Sequence, residues 1–126
     1  MPLVRIDLRK GKDAIYRQQI GRVVYDAMVS VGVPANDRFQ IVTEHEADNF
    51  LFDQTYLGIE RTDDLVIIQI TWNQGRTVEQ KKALYKAIAT GLAKTPGVRP
   101  EDVLINLVEV GKENWSFGNG EAQYAS

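Results

Sequence analysis

The feature that most constrains this chain is an internal repeat. Gly32-Val33-Pro34-Ala35-Asn36-Asp37-Arg38-Phe39 lines up with Gly97-Val98-Arg99-Pro100-Glu101-Asp102-Val103-Leu104, and Gly11-Lys12-Asp13 parallels Gly75-Arg76-Thr77. Each copy of the longer segment stands between a helical pattern and a strand pattern, and each copy of the shorter one precedes a helix. The chain is therefore strand–helix–strand twice. Within each unit a right-handed crossover can set the two strands parallel. The expected architecture is an α/β (α+β) fold: two tandem β-α-β units forming a four-stranded, mostly parallel sheet, with both helices on one face.

Periodicity supplies the elements. Val4, Ile6 and Leu8 alternate with Leu3, Arg5 and Asp7, a strand with one face committed to a core. Asp13 is placed to cap a helix whose inner face is Tyr16, Ile20, Val23, Val24, Ala27, Met28 and Val31, and Gly32 stands where a C-terminal cap belongs. Residues 38–45 read as a second strand. Residues 65–72 are the strongest strand signal, and Val66-Ile67-Ile68 predicts burial on both faces. Thr77 and Gln80 form a capping box for a helix that turns Leu84, Ala87, Ile88, Gly91 and Leu92 inward and ends at Pro96-Gly97. Residues 103–110 are the last long strand.

The 126 residues make one domain, with repeats at 2–45 and 65–110, a connector at 46–64 and an aromatic tail at 111–126. In the connector, Phe50-Leu51-Phe52 and Tyr56-Leu57 are too apolar to be solvated, which predicts short strands or a subunit contact. Helices on one sheet face leave the other uncovered, and oligomerisation is the simplest way to cover it. A net charge of −2 with scattered Lys and Arg argues against a nucleic-acid binder. The absence of cysteine excludes disulfides and thiol nucleophiles. No apolar run approaches the roughly 20 residues of a membrane span, and a cytoplasmic protein is expected.

The chain opens Met1-Pro2. Removal of Met1 would leave a secondary amine at Pro2. An α-amine titrates at roughly 8 in a free chain, and an apolar pocket or a neighbouring guanidinium lowers that value. Such an amine is a proton acceptor poised at working pH. With Met1 attached, the same nitrogen is an amide with no basicity. On the dipeptide alone, Pro2 starting an edge strand explains the residue as well.

A doubled strand–helix–strand chain of this size beginning Met-Pro resembles the tautomerase superfamily, and most closely its malonate semialdehyde decarboxylase branch. The resembling segments are Pro34-Ala35-Asn36-Asp37-Arg38-Phe39-Gln40, Leu57-Gly58 with Arg61, Glu79-Gln80-Lys81 and Trp115-Ser116-Phe117-Gly118-Asn119-Gly120. The resemblance implies that Pro2 is the catalytic proline. Asp37 matches an acid that helps hold or activate a water or a carbonyl; capping the turn, as Asp102 does at the equivalent position, is its other reading. Arg76 matches one of two arginines that grip the substrate carboxylate through a bidentate fork; otherwise it is an exposed charge before the capping box. The second arginine aligns with Gln74, which donates hydrogen bonds but carries no charge. Trp115 and Phe117 match the aromatic walls of the pocket, or else pack an interface. Tyr124 falls where the family has a further aromatic.

His45 lies between Glu44 and Glu46, but adjacent strand residues point to opposite faces, so no metal site is expected there. The resulting reading is a tautomerase of small 2-keto or enol carboxylic acids that uses Pro2 as general acid–base, needs no cofactor or metal and works as a homotrimer. The nearest alternative is a decarboxylase or hydratase acting on malonate semialdehyde or a similar 3-oxo acid, placed second because Gln74 replaces a charge. A non-enzymatic oligomeric protein is the distant one.

Overall fold

The computed structural model describes residues 2–125; Met1, whose removal the Pro2 reading requires, and Ser126 lie outside them. The elements are β1 (Leu3–Arg9), α1 (Ala14–Ser30), β2 (Gln40–His45), β3 (Val66–Asn73), α2 (Val78–Lys94) and β4 (Val103–Val110). The sheet order is β2-β1-β3-β4. β1 runs parallel to β2 and β3 parallel to β4, as each crossover helix requires. The two units meet through antiparallel pairing of β1 with β3, in a register that sets Leu3 opposite Thr71 and Leu8 opposite Val66.

Both helix starts are built as the sequence dictates. The Asp13 carboxylate accepts from the Tyr16 backbone N–H at 2.9 Å. Thr77 and Gln80 complete the reciprocal capping box. One core lies between sheet and helices, with Val4, Ile6, Leu8, Val66, Ile68, Ile70 and Trp72 packed on Ile20, Val24, Met28, Leu84, Ile88 and Leu92. Burying each of these large apolar side chains contributes on the order of 1.5–3 kcal/mol.

Three local expectations are corrected. β3 is not buried on both faces: Val66, Ile68, Ile70 and Trp72 are buried, while Ile67, Gln69, Thr71 and Asn73 are half-buried, because helices cover one face of the sheet. β2 begins at Gln40, so Arg38 and Phe39 belong to the approach to it. Of the two expectations for the connector, short strands do not form; it carries 3-10 turns at Ala47–Asn49 and Tyr56–Gly58, and a subunit contact stays open to it. Phe50 is nonetheless buried, stacked on the His45 ring at 5.6 Å, whereas Leu51 and Leu57 are 85% and 76% exposed. No helix among the described residues is long and apolar enough to cross a membrane.

The repeat carries a buried acid in each unit, Asp37 and Asp102. Asp102 is fully buried and satisfied: Oδ1 accepts from the Thr62 backbone N–H at 2.7 Å and Oδ2 from the Thr62 hydroxyl at 2.6 Å. It thereby fixes the chain that leads into β3. A hydrogen bond to a charged group contributes about 1.5–3 kcal/mol. Asp102→Ala is expected to lose about 3 kcal/mol of stability, read as a lower urea midpoint at unchanged m-value.

Candidate functional site

β1 starts at the end of the sheet where β3 finishes. The register that pairs Leu3 with Thr71 brings the neighbouring Pro2 alongside Trp72. Pro2 is buried and forms part of two hollows. The larger, about 210 Å³, is lined by Pro2, Leu3, Phe39, Trp115, Ser116 and Phe117. The smaller, about 10 Å³, has Pro2, Asp37, Tyr25 and Phe39 among its lining residues. That is about the room one water needs. Pro2 is thus a partition between a chiefly apolar cavity and a small chamber that contains a carboxyl group.

Asp37 is brought to Pro2 by the loop between α1 and β2. Its own N–H donates to the Pro34 carbonyl at 3.2 Å, and the Tyr25 hydroxyl donates to the Ala35 carbonyl, which pins the loop to the helix. The Arg38 guanidinium lies 5.1 Å over the Tyr25 ring and shares the Gln40 side-chain oxygen through two 3.2 Å bonds. Burial pushes the Asp37 carboxyl above the ordinary aspartate range, against the opposing pull of the chain's amino terminus.

Arg76 stands at the same end of the sheet but does not line either cavity at Pro2. A positive φ of 118° at Gly75 turns the chain back after β3. The Arg76 guanidinium carbon then lies over the Trp72 ring, 4.0 Å from its centroid, and its Nη1 donates to the Asn73 carbonyl at 2.9 Å. Burial pushes this guanidinium down from its usual value, with Glu109 acting in the other direction. It pairs with no carboxylate among the described residues. Gln74 is exposed, and its backbone N–H bonds the Val110 carbonyl at 2.9 Å.

The tail after β4 brings the aromatics across. Trp115 and Phe117 stack with centroids 5.4 Å apart and planes 14° off parallel, and Tyr124 meets Phe117 edge-on at 4.9 Å. The Phe117 N–H donates to Gln123 Oε1 and Gln123 Nε2 donates to the Gly118 carbonyl, so the tail closes on itself. Tyr124 backs the wall without lining the cavity.

Of the sequence candidates, the structure gathers Pro2, Trp115 and Phe117 around one cavity and Pro2 with Asp37 around the other. Arg76 lies beside them, and Gln74 and Tyr124 lie outside both. Phe39 and Leu3 line the site without having been candidates. The alternation of β2 assigned Phe39 to a strand face, whereas it precedes the strand, lines both hollows and is 51% exposed. His45 is a satisfied structural residue, with Nε2 2.6 Å from the Asp7 carboxylate. Among the described residues no group of three or more His, Cys, Asp or Glu side chains is placed to hold a metal.

Two family models described as tautomerase enzyme match residues 37–118 and 2–59. The chain belongs to the tautomerase superfamily. It is 45% identical over 124 residues to the probable tautomerase YusQ of Bacillus subtilis (strain 168), covering 98% of both chains. Among solved structures it is 41% identical to the FG41 malonate semialdehyde decarboxylase inhibited by 3-bromopropiolate, covering 97% of this chain and 93% of the other at a TM-score of 0.90. It is 34% identical to a malonate semialdehyde decarboxylase with decarboxylase and hydratase activities, covering 97% of this chain and 95% of that one at a TM-score of 0.90. The chain therefore has the catalytic chemistry of this superfamily, directed at small carboxylic acids, and belongs structurally with its malonate semialdehyde decarboxylase-like branch.

The raised Asp37 carboxyl makes a testable demand. Its folded value lies above the ordinary 3.8, so its contribution to stability is fully present below that pH and is lost as pH rises through the folded value. Asp37→Asn removes the cost of burying the charge. The variant is expected to be more stable than wild type at pH 7, with the advantage fading as pH falls through the folded value and nearly gone by 3.8, measured by urea unfolding at pH 7 and at 3.8.

Proposed function

We propose that this tautomerase-superfamily enzyme is a decarboxylase or hydratase of a small 3-oxo acid of the malonate semialdehyde type, and that Pro2, freed by removal of Met1, supplies the reactive amine. The placement of Pro2 between the Trp115–Phe117 cavity and the Asp37 chamber carries this reading. The two malonate semialdehyde decarboxylases of the same fold add support, and they reverse the order in which sequence alone ranked this reaction behind tautomerisation.

In the decarboxylation, the prolinium N–H would donate to the aldehyde oxygen and draw electron density towards it. The bond between the carboxylate carbon and C2 then breaks, its electron pair passes into the developing enolate, and carbon dioxide leaves. Protonation at C2 completes the aldehyde, so each turnover consumes one proton. Arg76 would hold the carboxylate, and Trp115 and Phe117 would exclude water from the forming enolate. Hydration would use the chamber instead, with Asp37 orienting a water towards the carbonyl.

A second reading, ketonisation of an enol acid, is favoured by the exposed, uncharged Gln74. Proton shuttling by a neutral Pro2 asks less of a carboxylate grip than bond breaking does. The two reactions need opposite states of one amine, so pH separates them. If decarboxylation is the native reaction, carbon dioxide release from malonate semialdehyde falls as pH rises through the amine value, while a tautomerase working on phenylenolpyruvate gains activity over the same range. Pro2→Ala is expected to remove most of either activity; equal rates for wild type and Pro2→Ala would overturn both readings. Gln74→Arg is expected to raise carbon dioxide release on the order of tenfold, since a charged hydrogen bond contributes about 1 kcal/mol more than a neutral one.

The exposed apolar residues on and beside the open sheet face, among them Ile41, Leu104 and Val108, support assembly into a homotrimer. Light scattering at micromolar concentration is expected to give three times the chain mass, and a monomer mass would refute it.

A further inference from the structure

Asn73, the last residue of β3, is where two of the site residues meet. Its main-chain carbonyl accepts from Arg76 Nη1 at 2.9 Å, and its side-chain Oδ1 accepts from Trp115 Nε1 at 2.7 Å. The backbone of Asn73 is fixed by the sheet: it pairs with Val110 of β4, and the next N–H, that of Gln74, bonds the Val110 carbonyl. The partners it holds come from separate elements. Arg76 belongs to the turn before α2, and Trp115 follows β4, 42 residues away from Asn73 along the chain. Trp115 is half-buried against Phe117, and a half-buried indole needs an acceptor for its N–H.

We infer that Asn73 is a positioning residue: its side chain sets the indole of Trp115, and its carbonyl sets the guanidinium of Arg76, so one strand end fixes the aromatic wall relative to the cation. The inference rests on the reading of Trp115 and Arg76 as substrate-contacting groups. The residue type follows from the demand. The site needs an acceptor at the height of the indole N–H, on a side chain short enough to be rigid at a strand end. A carboxylate would meet that demand but add a negative charge next to Arg76, competing with the substrate carboxylate for it. A leucine would match the size and leave the indole N–H without a partner. Because Arg76 bonds the backbone of Asn73, changing the side chain loosens the wall and leaves the cation's hydrogen bond in place. The consequence is a site whose aromatic wall cannot tilt away from a small planar carboxylate gripped by Arg76.

The test compares full-length, Met1-processed wild type with Asn73→Leu, Asn73→Asp, Trp115→Phe and the Asn73→Leu/Trp115→Phe double variant. Trp72 is fully buried, so acrylamide quenching of tryptophan fluorescence reports Trp115. Asn73→Leu is expected to raise the quenching constant about twofold, and Asn73→Asp, which retains the acceptor, to restore the wild-type value. In steady-state assays on malonate semialdehyde and phenylenolpyruvate, Asn73→Leu is expected to lower kcat/KM about tenfold, mostly through KM. Trp115→Phe keeps a ring but lacks the donor, and is expected to lose a similar factor, with the double variant no worse than either single one. Wild-type quenching in Asn73→Leu, failure of Asn73→Asp to restore it, or full additivity in the double variant would overturn the inference. Should wild type turn over neither substrate, the proposed function fails. Protection of Trp115 from acrylamide by malonate, present in wild type and lost in Asn73→Leu, then supports the positioning role, and equal protection in both refutes it. If Asn73→Leu does not fold, the Trp115→Phe and Asn73→Asp arms decide: an unchanged KM in Trp115→Phe, or quenching in Asn73→Asp above wild type, refutes it.

Discussion

The antiparallel pairing of β1 with β3 is the interaction on which the rest of this structure depends. Each β-α-β unit could form its own parallel pair, but a parallel pair with one helix has no second strand neighbour on which to close a core. Joining the units through their first strands puts both helices on one face and unites Ile6, Ile68, Ile20 and Leu84 in a common core. It also has a chemical consequence. Strands that run in opposite directions bring the beginning of one to the end of the other, so the register from Leu3–Thr71 to Leu8–Val66 delivers the start of the chain to the turn that carries Arg76. A parallel union would have placed Pro2 beside the start of β3, a sheet's length from Trp72 and its cation.

The repeat is symmetrical in fold and asymmetrical in use. Asp102 and Asp37 occupy matching positions of the repeat, and both are buried. In the second unit Thr62 offers a backbone N–H and a hydroxyl that satisfy both oxygens of Asp102. In the first unit Asp37 instead shares the lining of a small cavity with Pro2. One acid is therefore spent on holding the fold. The other borders a chamber beside the proposed reactive amine, at a cost in desolvation that its raised carboxyl value records.

How much of this was legible in the sequence follows from the range of each signal. The repeat, the two caps and the strand periods are local patterns, and they specified the sheet and both helices because each is decided by residues a few positions apart. Burial of β3 was misread for the opposite reason. Val66-Ile67-Ile68 looks the same whether helices cover one face or two, and only the assembled sheet shows Ile67 on the open side. Phe39 was assigned to a strand because alternation runs smoothly through it, whereas β2 starts one residue later and leaves the ring at the cavity. Asn73 carried no signal at all. Its importance lies in a contact across 42 residues, which neither spacing nor composition encodes.

The position of Pro2 as a partition bears on which proton state a freed amine would hold. On one side stands an apolar wall of Trp115 and Phe117, which disfavours charge by keeping water away. On the other stands Asp37, in a chamber with room for about one water. Both groups line that chamber, and an ionised carboxyl beside an amine favours the amine's charged form. Val4, Met28 and Val33 line the carboxylate side from the core, and the exposed Arg38 and Phe39 share in its lining. An ionised Asp37 would favour prolinium, the form that polarises an aldehyde for loss of carbon dioxide, against the apolar wall and the Arg38 guanidinium that lines the same chamber. Protonating Asp37 would tip the amine towards neutrality. The charge of one buried carboxyl group would thus help to separate the two reactions proposed for this site, with the fold held in common.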